Sequence, residues 1–169
     1  MATEKFNGVN IVEVVNNNGC FDLQFRKDTR HERTGAPTYY RWKIQFIITE
    51  PKENIHILKK AQRHIGCGKI TVAKNQARFS VQDIDDIVNI IVPFFTKNRL
   101  SGKKDKEFQL WKKAVTIISL NKGKSIATWK RNDLMKLIEI RKLHTTYKQK
   151  TKQLKWIDMA QEMTRSLSA

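Results

Sequence analysis

Two hydrophobic periods alternate along the chain, and the switches between them outline a fold. Ile11, Val14 and Val15 stand at helical spacing within residues 8–17, and the run of Asn16, Asn17, Asn18 and Gly19 reads as the helix stop. From Phe21 the period becomes two. Phe21, Leu23 and Phe25 share one side and Asp22, Gln24 and Arg26 the other, which predicts a half-buried strand. Residues 28–38, polar and holding Gly35 and Pro37, predict a long connection. A second strand is predicted over 39–49, with Trp42, Ile44, Phe46 and Ile48 opposing Arg41, Lys43, Gln45 and Ile47.

Pro51 predicts a helix start, Ile55, Leu58, Ala61 and Ile65 its apolar stripe, and the GCG at 66–68 its stop. Two short strands are predicted at 69–73 and 77–82 around a turn at Lys74, Asn75 and Gln76. Asp83 is placed to cap a helix carrying Ile84, Ile87, Val88 and Ile91 as far as Pro93. A basic loop (KNRLSGKKDKEF) precedes a helix at 107–120, and further helices are predicted at about 131–143 and 151–167. The fold class is therefore α+β. An αββαββα unit over residues 1–121, one antiparallel sheet with helices on one face, precedes a helical extension over 122–169.

Charge gives this outline a partner. The 169 residues carry 33 Lys+Arg against 16 Asp+Glu, a net charge of +17, and the pI is near 10.1. That balance points to a polyanion, nucleic acid before an anionic membrane surface. The second, polar side of the predicted sheet is basic. Arg26, Arg41 and Lys43 come from the first pair of strands, and Lys69, Thr71 and Arg78 from the second, with Lys74 at the turn. Side chains at period two along such strands can lie against a phosphate backbone or enter a groove. The 122–169 segment adds 12 Lys/Arg against 4 Asp/Glu. In its HTTYKQKTKQLKW stretch Tyr147 and Trp156 flank Lys148, Lys150, Lys152 and Lys155. Lysines with aromatics suit phosphate contact plus base stacking on irregular RNA.

Other chemistries find little footing. Cys20 and Cys67 cannot form a disulfide framework, and His64 with Cys67 has no second pair to complete a zinc site. The GCGK at 66–69 lacks phosphate-loop spacing. No apolar run approaches the ~20 residues of a membrane span. The first ten residues have no apolar signal core, so secretion is not expected. Ile, Lys and Asn, all with A/T-rich codons, make up 52 residues and hint at an A/T-rich organellar genome.

The order of elements and several stretches of text resemble the LAGLIDADG homing endonucleases. IVEVVNNNGCF at 11–21 stands where the family has LAGLIDADGCF, and YRWKIQFIIT, HIGCGKITV and the segment from Val88 to Ala114 follow in family order. The resemblance implies a saddle-shaped sheet over a nucleic-acid groove, with the motif helix at a dimer or pseudo-dimer axis. It also implies that the acid before the closing glycine holds a divalent metal, which requires anionic oxygen ligands. That position is Asn18, and the family's earlier acid is Asn16. The glutamine the family places near the attacking water is matched to Ile47, while Lys104 matches its active-site lysine. Val12 and Glu13 replace small residues that let two motif helices pack closely; a buried unpaired Glu would cost several kcal/mol.

These substitutions set the functional expectation. The chain is expected to be no enzyme and to need no cofactor: an inactive member of this fold that binds organellar RNA. A mitochondrial ribosomal protein or an intron-splicing cofactor are the two forms of that expectation, with RNA favoured over DNA and no membrane. The alternative is an active Mg²⁺-dependent DNA endonuclease working as a homodimer, since one motif copy requires two chains.

Overall fold

A computed structural model of the chain describes residues 10–29, 38–147, 160, 161 and 164. Helix α1 (Ile11–Asn18) is capped by the Asn10 side chain, which accepts from the Glu13 N–H. It leads without a loop into β1 (Gly19–Thr29), paired antiparallel with β2 (Thr38–Pro51). A 3-10 turn at Lys52–Asn54 precedes α2 (Ile55–Ile65), followed by β3 (Lys69–Ala73) and β4 (Gln76–Val81). The sheet order is β1-β2-β4-β3, antiparallel throughout. The remaining helices are α3 (Ile84–Asp86), α4 (Val92–Lys97), α5 (Gly102–Leu120) and α6 (Arg131–Tyr147).

The α+β class and the αββαββα order stand as expected, and the boundaries move for identifiable reasons. Gly19 does not stop α1 through a left-handed turn, since its φ is −80°. It is a glycine because a Cβ there would lie 2.6 Å from Val15 Cγ1 and 2.7 Å from Val15 O; only a bare backbone can turn from helix to strand so tightly. Pro51 ends β2 and caps the 3-10 turn at Lys52–Asn54 that leads into α2, so the helix expected after it begins with that turn. Pro93 does not end the helix begun by Asp83, whose carboxylate accepts from the N–H groups of Asp85 and Asp86. A π turn at Ile87–Ile91 leads into α4, where Pro93 sits in the first turn, the place that tolerates a residue without an N–H. The basic loop is shorter than expected, for α5 begins at Gly102 and takes Lys103 and Lys104 into its first turn.

One face of the sheet is closed by helices. Phe21, Leu23 and Phe25 of β1 pair with Phe46, Ile44 and Trp42 of β2, and all six are buried. At the centre, the Phe21 ring lies 5.1 Å from those of Phe46 and Trp111, 5.2 Å from Phe108 and 5.5 Å from Phe95. Leu134, Leu137 and Ile138 of α6 join the same core. Of the predicted helix over 151–167, only residues 160, 161 and 164 are described, and Ala160 is buried in that core.

Candidate nucleic-acid interface and motif end

The alternation built into β1–β4 sends their polar side chains to the other face of the sheet, where Arg26, Arg41, Lys69, Thr71 and Arg78 are exposed. Register places Arg26 beside Arg41 and Gln24 beside Lys43. Further along, Thr49 stands beside Arg78, and Arg78 beside Thr71, with Lys69 next to Ser80. Six of the sequence-predicted contacts, Arg26, Arg41, Lys43, Lys69, Thr71 and Arg78, thus share one face, and Lys74 is exposed in the β3–β4 turn. Their crowding has an electrostatic signature. The Lys43 ammonium is held below its ordinary range, first by partial burial and then by the charges of Arg26, Arg41 and Arg78, with Asp22 opposing.

A hydrogen-bonded ladder organises this face. The Asp22 carboxylate accepts from Gln24 Nε2 at 2.6 Å and from Gln45 Nε2 at 2.8 Å. Arg26 Nε donates to Gln24 Oε1 at 2.9 Å, and Gln82 Nε2 donates to Gln45 Oε1 at 3.3 Å. Long polar side chains tied to one another lose less freedom on meeting a ligand than untethered ones.

At the end of α1 a second cluster forms. Residues 104, 107 and 111, on one face of α5, cover the outer edge of β1. Lys104 Nζ donates to the Gly19 carbonyl at 2.6 Å and pairs with Glu107 Oε2 at 2.8 Å. Glu107 Oε1 accepts the Phe21 N–H at 3.1 Å, and Trp111 Nε1 donates to the Asp22 carbonyl at 3.1 Å. These bonds occupy the edge of β1 from Gly19 to Asp22. From α6, buried His144 brings Nε2 within 3.6 Å of Glu107 Oε1. Asn16 Oδ1 accepts the N–H of Ser101, at the start of α5, at 3.2 Å.

Asn18, the position read as having lost its acid, is exposed and donates from Nδ2 to Glu50 Oε1 at 2.8 Å. Glu50 is only 5 % exposed. Ile47 stands between Cys20 and Ser80 on the open face, so the β2 side chain that touches the motif end is Glu50, three residues further on. Glu50 and Glu107 are the acidic residues at the motif end that sequence reasoning missed. The signal for Glu50 was strand register, since Gly19 lies opposite Ile48. Tyr147 closes α6, while Lys148, Lys150, Lys152 and Lys155 lie outside the described residues.

The LAGLIDADG endonuclease family model matches residues 15–115, more than half of the sequence. The chain belongs to that family. "Probable intron-encoded endonuclease 3" of Neurospora crassa is 32% identical over 86 residues, 50% of this chain and 16% of the relative. The chain therefore spans about a sixth of that relative's length. The homing endonuclease I-TnaI superposes with a TM-score of 0.67 at 18% identity, covering 92% of this chain and 95% of its own. The LAGLIDADG homing endonuclease I-SmaMI bound to cleaved DNA gives 0.63 at 20% identity, over 77% of this chain and 41% of its own.

The expectation that the chain is no enzyme is corrected by these findings, because the relatives it matches are named endonucleases. The physical reason the expectation misled is local. It equated the missing carboxylate at position 18 with a missing carboxylate at the site, whereas Glu50 reaches the Asn18 amide from the neighbouring strand. Nucleic acid stands as the expected class of partner for this fold. No helix among the described residues is long and apolar enough to cross a membrane.

A hard divalent cation, which the family implies, takes oxygen ligands, and Mg²⁺ is commonly held through only one or two carboxylates while keeping several waters. The oxygens at the motif end are the Glu50 carboxylate, the Asn18 amide and the Gly19 carbonyl, the last of which already accepts from Lys104. Among the described residues no group of three or more His, Cys, Asp or Glu gathers in one place. This sparse, all-oxygen set fits a cation held in part by water and phosphate, and does not fit one caged by protein.

Proposed function

We propose that the protein is a DNA endonuclease that works as a pair of such units, hydrolysing phosphodiesters with the help of a divalent cation. The observation that carries this reading is the convergence of the Glu50 carboxylate and the Lys104 ammonium on the end of α1, in a fold whose open sheet face is basic. The structure of I-SmaMI on cleaved DNA supports DNA as the substrate, and its chain, of which this one covers 41%, supports a second unit in the working form. In this reading Arg26, Arg41, Lys43, Lys69, Thr71, Lys74 and Arg78 hold the duplex, and Asp22, Gln24, Gln45 and Gln82 fix where the long side chains point.

Hydrolysis forms one P–O bond to water and breaks another to the leaving oxygen, so negative charge must be stabilised at both. A cation such as Mg²⁺, when bound, supplies Lewis-acid stabilisation to both oxygens. Asn18 and Glu50 would hold it, beside the Gly19 carbonyl that Lys104 engages. Lys104 adds a fixed positive charge beside them. Its tether to Glu107 aims it, and the Glu107 bond to the Phe21 N–H anchors that tether to the strand. Lys103, exposed in the same turn, adds a second ammonium that can take a phosphate. The relatives' intron-encoded names, and a composition rich in Ile, Lys and Asn, residues with A/T-rich codons, support an organellar gene and hence a mitochondrial site of action.

The test is incubation of the full chain with a library of random-sequence duplexes and Mg²⁺, followed by sequencing of newly formed ends. Double-strand cuts at a recurrent site, lost in EDTA, are the expected result. Cleavage of no duplex, together with tighter binding to structured RNA than to DNA in a competition assay, would overturn the proposal and favour an RNA-binding role.

A further inference from the structure

The sole hydrogen-bond partner of the Glu50 carboxylate among the described residues is the neutral Asn18 amide. The residue as a whole is only 5 % exposed, and a carboxylate so placed beside a neutral amide is favoured by a nearby cation. Its surroundings make the position more unusual. Glu50 lies on the side of β2 that otherwise faces the core, continuing the series Trp42, Ile44, Phe46 and Ile48. Its cross-strand neighbour is buried Ala77, which offers it no polar side chain. Nothing in the packing calls for an acid there; an apolar residue would extend the stripe at no desolvation cost. Among the described residues, the side chain it hydrogen-bonds is that of Asn18, the last residue of the motif helix. Lys104, the nearest cation to the motif end along α5, is already engaged by the Gly19 carbonyl and Glu107.

Resting on the endonuclease reading above, we propose that Glu50 is the anionic ligand for the divalent cation in this chain, the charge having moved from the motif helix to the end of β2. Asn18 then has two duties. Its Nδ2 orients the Glu50 carboxylate, and its Oδ1, on the other branch of the same amide, is a neutral oxygen donor on the exposed side. One carboxylate and one amide per chain make a weak site, with an affinity in the millimolar range expected of hard-cation sites with few charged ligands. Positions 18 and 50 are interchangeable in charge: what the cation needs is one carboxylate in the pair, wherever it is attached.

Paramagnetic broadening by Mn²⁺ in NMR spectra of the full chain reads such a site without requiring turnover. In the wild type, low-millimolar Mn²⁺ is expected to broaden the Asn18 side-chain amide and the Gly19 backbone amide before signals from β3. Glu50→Gln, which keeps the shape and the hydrogen bond to position 18, should require at least ten-fold more Mn²⁺ for equal broadening while leaving the remaining spectrum unchanged. Adding Asn18→Asp to Glu50→Gln should restore the wild-type response, which a purely structural role for Glu50 would not do. Broadening that is unaffected by Glu50→Gln, or that never reaches Asn18 and Gly19, would overturn the assignment. The two proposals fail separately. Mn²⁺ held at Glu50 with no duplex cut defeats the endonuclease reading alone. Mg²⁺-dependent cutting that survives Glu50→Gln defeats the ligand assignment alone.

Discussion

Phe21 and Asp22 are neighbours on β1, and both are less than a tenth exposed, yet they belong to different environments. Phe21 faces the helices and meets four aromatic rings between 5.1 and 5.5 Å away. Asp22 faces the other side, where Gln24 and Gln45 donate to its carboxylate, Gln82 donates to Gln45 and Arg26 to Gln24, and the Arg141 guanidinium of α6 lies within reach of its charge. On the first side, burial is achieved by shape, and the energy is in area removed from water. On the second, burial is achieved by hydrogen bonding among polar groups, and the energy is in bonds that must all be made. Substitutions on the helix side should therefore act on stability, and those on the open side on binding.

The largest expected effect is on the helix side. Phe21→Ala should cost about 3–5 kcal/mol, the range for emptying an aromatic core position, read as a lower denaturant midpoint. A loss below about 1 kcal/mol would mean that the two faces do not differ in this way. Next comes Glu107→Gln, where a single buried carboxylate serves the Phe21 N–H and Lys104 together. Leaving those groups short of an acceptor should cost about 1–3 kcal/mol. It should also lower the cleavage rate more than the DNA affinity, since Lys104 loses its tether.

On the open side, Arg41→Ala and Arg78→Ala should each change stability by no more than about 0.5 kcal/mol. Duplex affinity should fall, and the slope of log affinity against log salt should become shallower by about one for each phosphate that is no longer neutralised. An unchanged salt slope in both variants would remove the open face from the interface.

The smallest effect concerns Cys67, beside the glycine that caps α2. Burial, and then the Asp86 charge, push its thiol up to about 11. At pH 8 about one Cys67 thiol in a thousand is then the reactive thiolate, so alkylation by iodoacetamide should be slow in the native protein and accelerate on unfolding. The sign of the linked stability follows. The unfolded thiol ionises first, so this contribution is intact below about pH 9 and is lost as pH rises towards 11. Cys67→Ser should flatten that alkaline decline.

The elements legible in the sequence were those with a clean period. Alternation along Phe21 to Arg26 and along Arg41 to Ile48 was enough to place both strands and to assign the basic residues to one face, because side-chain direction in a strand follows from parity alone. The cap at Asp83 and the left-handed glycine at 66, with φ of 91°, were likewise local decisions. Pro93 was misread because the π turn at Ile87–Ile91 leaves no periodic trace. The motif end was misread for a stronger reason. Its chemistry depends on Glu50 lying 32 residues from Asn18, and on Lys104 and Glu107 lying more than 80 residues from Gly19 and Phe21. Sequence by itself determined the order of elements, the polarity of each sheet face and the family. Tertiary structure alone decided which carboxylate stands beside the motif, because register and helix packing bring together residues that no local spacing relates.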